Sequence, residues 1–219
     1  MTEAFSFLNS ISNQPEFQAS WIPRLSGVNV DGDREFALRN LAPLHDQIIS
    51  AQYPSINARH HAEQVHGNGI SVISEPLQSG IITHPGTDGL ITNVPNQLLA
   101  IYVADCAAIY LADSVSKAIG LLHSGRKGTE LNILEQAVRK MTEFFGTDPA
   151  NLTCILSPCI RPPDYEMNLP ESVHSQARAL GIDQFYDSCE NTAADLTAHY
   201  SYRVEKGKTG RMLALLTLQ

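Results

Sequence analysis

Five short apolar runs crowd residues 70–123, at 70–74, 90–92, 98–104, 107–111 and 118–123, and Gly, Pro, Asn and Asp bound them. Runs of that length and punctuation read as strands. Hairpins with few crossover helices fit the short links between them. Further strands are predicted at 153–156, 200–204 and 212–218, the last two joined by the turn at 205–210. Helix signals are fewer. Leu131, Leu134, Val138, Met141 and Phe145 draw one apolar stripe at three- and four-residue spacing, with Thr129 as the expected N-cap and Gly146 as the stop. A helix over 171–180 ends at Gly181, and another carries Phe36, Leu41, Leu44 and Ile48 behind a cap at Asp31 or Asp33. Pro43 should break or kink that helix. The first ~30 residues have scattered apolar positions and read as a short helix and an irregular loop through Pro15 and Pro23. The expectation is an α+β fold, mixed β-sheets flanked by helices, with residues 1–219 as a single domain behind an atypical N-terminal segment.

At 219 residues and 43% hydrophobic content the chain can bury a full core. Its 23 acidic and 15 basic residues give a formal charge of −8, which argues against nucleic-acid binding, since that affinity comes from cations on phosphates. A small phosphate site remains compatible with it. The first residues show no basic segment leading into an apolar core, and no apolar run reaches membrane-spanning length. A cytoplasmic protein without membrane or nucleic-acid partners, and a monomer, is expected. Cys106, Cys154, Cys159 and Cys189 are then free or metal-bound thiols.

Three residues stand in distinctive contexts: His66 in Gln64-Val65-His66-Gly67, Cys106 in Ala104-Asp105-Cys106, and His123 in Leu122-His123-Ser124-Gly125. All fall at element ends, where side chains from distant segments converge. A thiolate and two imidazoles suit zinc, and three protein ligands leave a fourth position free. Their spacings of 40 and 17 residues match no short ligand motif, and a packed Cys with two loop histidines fits the same pattern. Cys154 and Cys159 read as packing, while Cys189 could border a pocket. His60 and His61 are adjacent on an extended segment and point to opposite faces.

Read in order, further segments join these: Thr87-Asp88-Gly89-Leu90-Ile91-Thr92, then His123-Ser124-Gly125-Arg126-Lys127-Gly128-Thr129, then Ser157-Pro158-Cys159-Ile160 and Tyr165-Glu166-Met167. Tyr200-Ser201-Tyr202-Arg203 and Thr209-Gly210-Arg211-Met212 complete the set. From about residue 60 to 219 the chain resembles the laccase-domain (YfiH-type) family, once called multicopper polyphenol oxidases. The resemblance implies sheets flanked by helices and a zinc held by His66, Cys106 and His123. It also implies phosphorolysis of adenosine, inosine and methylthioadenosine, and hydrolytic deamination of adenosine. Copper-dependent phenol oxidation and editing of a peptidoglycan precursor are the family's other attributions.

The chain departs from the family pattern. The usual His-Ala-Gly-Trp-Arg-Gly is His123-Ser124-Gly125-Arg126-Lys127-Gly128 here, and the usual early Gly-Gly-Val-Ser loop is reduced to Arg24-Leu25-Ser26-Gly27-Val28. A non-catalytic zinc-binding member is therefore an alternative. Deamination needs a proton carrier, for which Asp88, Asp105 and Glu166 are the carboxylate candidates. A turn at Asp88 and a ligand-orienting role for Asp105 are equally open. Phosphorolysis needs cations, for which Arg126, Lys127, Arg203 and Arg211 are candidates, together with amides at the start of the 129–145 helix. The eight histidines include no His-x-His pair, against a multicopper cluster.

Overall fold

The structure, a computed structural model, describes residues 5–219. Its strands are β1 (Phe17–Ile22), β2 (Ala58–Ala62), β3 (Ile70–Ile73), β4 (Gly80–His84), β5 (Gly89–Thr92), β6 (Leu98–Val103), β7 (Ala107–Asp113), β8 (Ala118–Ser124), β9 (Leu152–Leu156), β10 (Gln184–Asp187) and β11 (Met212–Leu218). Its helices are α1 (Asn9–Ser12), α2 (Arg34–Gln52), α3 (Arg126–Glu130), α4 (Ile133–Phe145) and α5 (Leu169–Ala179). One sheet runs β1-β11-β6-β2-β4 and the other β10-β9-β7-β8-β5-β3. Both are mixed. β2 is parallel to β4 and β6, β3 to β5 and β9 to β10, while the remaining pairs are antiparallel.

The apolar clusters define four layers. The largest joins Trp21, Leu99, Ile101 and Leu216 of the first sheet to Tyr110, Ile119, Leu121 and Ile155 of the second, so the main core lies between the sheets. The outer face of the second sheet packs Ile109, Leu111 and Leu122 against Leu134, Val138 and Met141 of α4 and Val173 of α5. The outer face of the first sheet packs Leu98, Leu213 and Leu215 against Ile49 of α2 and Tyr53. β7, β8, β9 and β11 are buried along their whole length, as central strands covered on both faces must be.

The strands read at 70–74, 90–92, 98–104, 107–111, 118–123, 153–156 and 212–218 are all present within a residue or two. The helix ends follow local chemistry. Asp33 accepts from the amide of Phe36 at 2.8 Å and caps α2, and Gly146 closes α4 at φ +71°.

Several expectations are corrected. α2 runs past Pro43 without a break, and its buried face is Ala37, Leu41, His45 and Ile49, with Leu44 exposed. The helix expected to start at Thr129 is two helices. α3 is five residues long, and α4 begins after Asn132, which caps Glu135 from a left-handed conformation that α3 cannot continue into. Residues 200–204 are turns, not a strand of a hairpin. Glu205 accepts from the Ser201 amide and Asp105 from the Arg203 amide, which curls the segment and leaves β11 to pair with β1 and β6. The N-terminal segment contributes β1, in which Phe17, Ala19 and Trp21 alternate with Gln18 and Ser20 and turn toward the core between the sheets. β2, β4 and β10 were also unread. β2 is mostly Arg and His, β4 is almost wholly exposed, and β10 is a short edge strand.

Candidate metal centre

Strand register assembles the site. β5 pairs with β8 so that Gly89 faces Leu122, which puts Asp88 beside His123, whose amide donates to the Asp88 carbonyl at 2.7 Å. β7 pairs with β8 so that Ala107 faces Ser124, which sets Cys106 against Gly125. His66 comes from the link between β2 and β3, at φ +60°, in the left-handed region. The Asp88 carboxylate fixes that link by accepting from the amides of His66 at 2.9 Å and Gly67 at 2.7 Å.

The ligand atoms of His66, Cys106 and His123 lie within 4.8 Å of one another, the one such group of three among the described residues. Two atoms bonded to one zinc at about 2.0–2.3 Å sit roughly 3.5 Å apart, so little movement closes the set. The two imidazoles meet edge to face, with centroids 4.9 Å apart. His123 Nδ1 lies 2.8 Å from Asp88 Oδ1. An ionised carboxylate only accepts, so Nδ1 carries a proton and Nε2 is left for the centre, where a bound metal would take the place of the second ring proton. Gly125 leaves the room for the thiol, because a Cβ there would stand 2.7 Å from Cys106 Sγ.

The electrostatics agree with a cation-seeking site. Burial opposes ionisation of Cys106, but the His123 charge and hydrogen bonding with His123 and His66 pull the thiol below its ordinary value. Burial likewise opposes protonation of His123, and the Cys106 and Asp88 charges raise it. Burial works against the Asp88 carboxylate too, yet His123 and the two amides hold it below the usual range. The group is able to bind a metal ion; the soft thiolate and neutral imidazoles suit zinc or copper ahead of hard cations.

The centre opens into a cavity of about 860 Å³. Tyr102, Ile160, Tyr165, Leu169 and Tyr202 give it apolar walls, and Arg34, Arg126, Lys127, Arg203 and Arg211 give it cations. Of the carboxylates named from sequence, none is idle. Asp88 is buried beneath the histidines. Asp105 lines the cavity, but its oxygens accept from Thr192 Oγ1 and the Arg203 amide, both at 2.7 Å. Glu166 is exposed and bridges Arg126 at 3.3 Å and Arg203 at 2.9 Å. Arg126 also pairs with Glu130. Lys127 lines the cavity and makes no ion pair among the described residues.

Cys154 and Cys159 are fully buried packing residues, and exposed Cys189 is not part of the cavity wall. Neither His60 nor His61 joins the metal group. His60 bonds His84 and Gln97, and His61 stacks on Tyr102 at 5.4 Å. Sequence reasoning missed Arg34, Tyr102 and Leu169, and gave Gln64, Tyr165 and Tyr202 no role. Tyr165 and Tyr202 each precede a singled-out charge, Glu166 and Arg203, and that adjacency was the available signal. Gln64 is pinned by its amide to the Tyr102 backbone in both directions.

Residues 26–169 and 164–219 match the family described as "Multi-copper polyphenol oxidoreductase laccase". The chain is 32% identical over 220 residues to a purine nucleoside phosphorylase of Deinococcus radiodurans, covering 88% of this chain and 83% of the relative. It is 27% identical over 194 residues to the purine nucleoside phosphorylase YlmD of Bacillus subtilis, covering 72% and 70%. Among solved structures, YlmD from Geobacillus stearothermophilus superposes with a TM-score of 0.77 at 22% identity, over 94% of this chain and 93% of that one. The YfiH protein of Bacillus licheniformis gives 0.72 at 21%, over 95% and 94%.

Proposed function

This chain belongs to the multi-copper polyphenol oxidoreductase laccase family, and from that premise we propose that it is a zinc-dependent purine nucleoside enzyme. Relatives named purine nucleoside phosphorylase support nucleoside processing in general. The finer reading is phosphorolysis of adenosine, inosine and methylthioadenosine, with hydrolytic deamination of adenosine beside it. One observation carries this reading: the His66–Cys106–His123 group stands in a cavity with aromatic walls and a cationic rim. Aromatic faces suit a purine, and cations suit phosphate.

When bound, a zinc ion supplies Lewis acidity that makes hydroxide available near neutral pH. The chain's own residues do the rest. Asp88 keeps the proton on His123 Nδ1 and holds the His66 link in place. Asp105 has both oxygens engaged, so its role is to orient Cys106 and the Arg203 turn. Glu166 is the one carboxylate of the three on the exposed rim, where a proton can be exchanged with solvent. Lys127 is the unpaired cation directly after the His123 turn and supplies a point charge for phosphate. The five residues of α3 are too few for helix-terminus amides to carry that task, so the subsite rests on side chains.

Copper-dependent phenol oxidation fits less well. Among the described residues there is one three-ligand group, whereas a multicopper cluster needs several.

Metal-loaded protein should convert adenosine to adenine when phosphate is present and to inosine when it is not. Lys127→Ala should lower phosphorolytic efficiency roughly ten- to hundredfold, the loss of one charge-assisted contact, and spare deamination. A nucleoside panel left wholly unchanged points to the non-catalytic alternative. Phenol oxidation that tracks bound copper overturns the proposal.

A further inference from the structure

We propose that Arg34 and Arg211 form a second anion subsite in this cavity, one that takes a phosphate-class dianion, either a phosphate monoester carried by the substrate or a free phosphate ion. The inference rests on the cavity being the working site proposed above, and it reaches a residue, Arg34, that sequence motifs left unassigned.

The argument begins with charge. Five cations line the cavity against two carboxylates, Asp105 and Glu130, in a chain whose formal net charge is −8. The acids do not neutralise the cations evenly. Arg126 is held by Glu130 and Glu166, and Arg203 by Glu166. The Asp105 oxygens are spent on Thr192 and a backbone amide. Among the described residues neither Arg34 nor Arg211 reaches a carboxylate. Arg34 donates only to the Glu63 carbonyl, at 3.4 Å. Arg211 donates through Nη1 to the carbonyls of Thr209 at 2.9 Å and Gly210 at 2.8 Å. That anchoring fixes the guanidinium, and among the described residues its Nε and Nη2 edge makes no hydrogen bond.

The two guanidiniums also act on each other. Burial, and then the Arg34 charge, hold Arg211 below its ordinary value, against a smaller opposing pull from Cys106, Tyr202 and Asp105. Arg126 and Arg203 share Glu166, a carboxylate that among the described residues pairs with neither Arg34 nor Arg211. A partly buried guanidinium facing a like charge is costly unless an anion joins the pair. Arg forks match phosphate oxygens two at a time, and a dianion between two such forks relieves both the repulsion and the lost hydration. The Tyr202 ring, 5.9 Å from the Arg211 guanidinium carbon, backs the subsite and offers a surface to the rest of a ligand.

The test is calorimetric titration of the metal-loaded protein with adenosine, adenosine 5′-monophosphate and inorganic phosphate, in the wild type and in Arg34→Gln. Arg34 is exposed in the first turn of α2, where a cation opposes the helix dipole, so its removal does not threaten the fold. The wild type should bind the monophosphate more tightly than adenosine, and Arg34→Gln should erase that advantage, a fall of roughly ten- to hundredfold. Arg34→Lys should recover part of it. If the variant instead weakens inorganic phosphate by the same factor and the monophosphate gains nothing, the subsite stands and its ligand is the free ion. Wild-type and Arg34→Gln proteins that bind both phosphate probes equally overturn the subsite. So does a wild type that binds neither. Arg34-dependent phosphate binding in a protein that turns over no nucleoside keeps the subsite and rejects the nucleoside reading.

Discussion

Asp88 shows how much of the centre depends on one side chain outside the ligand set. Its carboxylate accepts hydrogen bonds from the His123 ring and from two amides of the His66 link, so it orients a ring and a loop at once. Asp88→Asn has fewer acceptor sites and no charge. It should weaken zinc binding roughly ten- to hundredfold, as loss of ligand-orienting partners does, measured by competition with a chromophoric chelator. Unchanged zinc affinity would show that Asp88 shapes the turn and nothing more. His66, Cys106 and His123 stood out by their local contexts, but their spacing matches no short ligand motif, and only the family resemblance joined them into one candidate set. The partner was legible only as a candidate, since Asp88-Gly89 is equally a turn in one dimension. Nothing local told that Glu166 spends its charge on Arg126 and Arg203, or that Arg34 reaches the same cavity from a helix start more than thirty residues before His66.

At the scale of elements, α2 is where local rules and tertiary packing disagree most. Pro43 lacks the amide that would bond to the Arg39 carbonyl and crowds that carbonyl with its ring. The helix nonetheless continues, because Leu41, His45 and Ile49 are buried on both sides of the proline. Pro43 itself is exposed, so its replacement disturbs no packing. Pro43→Ala should stabilise the protein by about 1–3 kcal/mol, seen as a higher urea midpoint with zinc content unchanged. A lower midpoint would mean that the proline contributes to the native geometry of α2. The opposite occurs at 200–204, where the alternating run Tyr200-Ser201-Tyr202-Arg203-Val204 forms turns because Glu205 and Asp105 capture its amides. Side-chain to backbone bonds of that kind compete with strand pairing, and they are invisible to periodicity.

For the molecule as a whole, acid sensitivity is written into the outer face of the first sheet. His45 of α2 and His61 of β2 both pack on Tyr102 of β6, with centroids 5.7 and 5.4 Å from its ring. Burial lowers His45 to about 4. Burial, with the nearby Arg59 charge, lowers His61 to about 3. In the unfolded chain both take up a proton near pH 6.5. Below that pH the unfolded state binds protons that the folded state refuses, so stability is full above about 6.5 and falls as pH drops toward the folded values. At pH 5 the loss is about 2 kcal/mol for each histidine, measurable as a fall in urea midpoint between pH 7 and pH 5. Both His45 ring nitrogens are buried without a partner among the described residues, so His45→Leu should keep the neutral-pH stability and remove about 2 kcal/mol of the acid-side loss. A variant with the same pH profile as wild type would place the acid-sensitive groups elsewhere.

The sequence by itself determined the class of fold, most central strands and the α4 stripe. Those features depend on period, punctuation and short-range context, which a linear chain carries in full. Only the tertiary structure decided the rest. The register of β8 against β5 and β7 brought Asp88 and Cys106 to His123, and long-range pairing made strands of β2 and β10 against weak local patterns. Which cations of the cavity are neutralised, and which line it without a carboxylate partner among the described residues, is a matter of distances between segments far apart in the chain. Such distances arise when the apolar faces of the two sheets close on each other, and no local pattern encodes them.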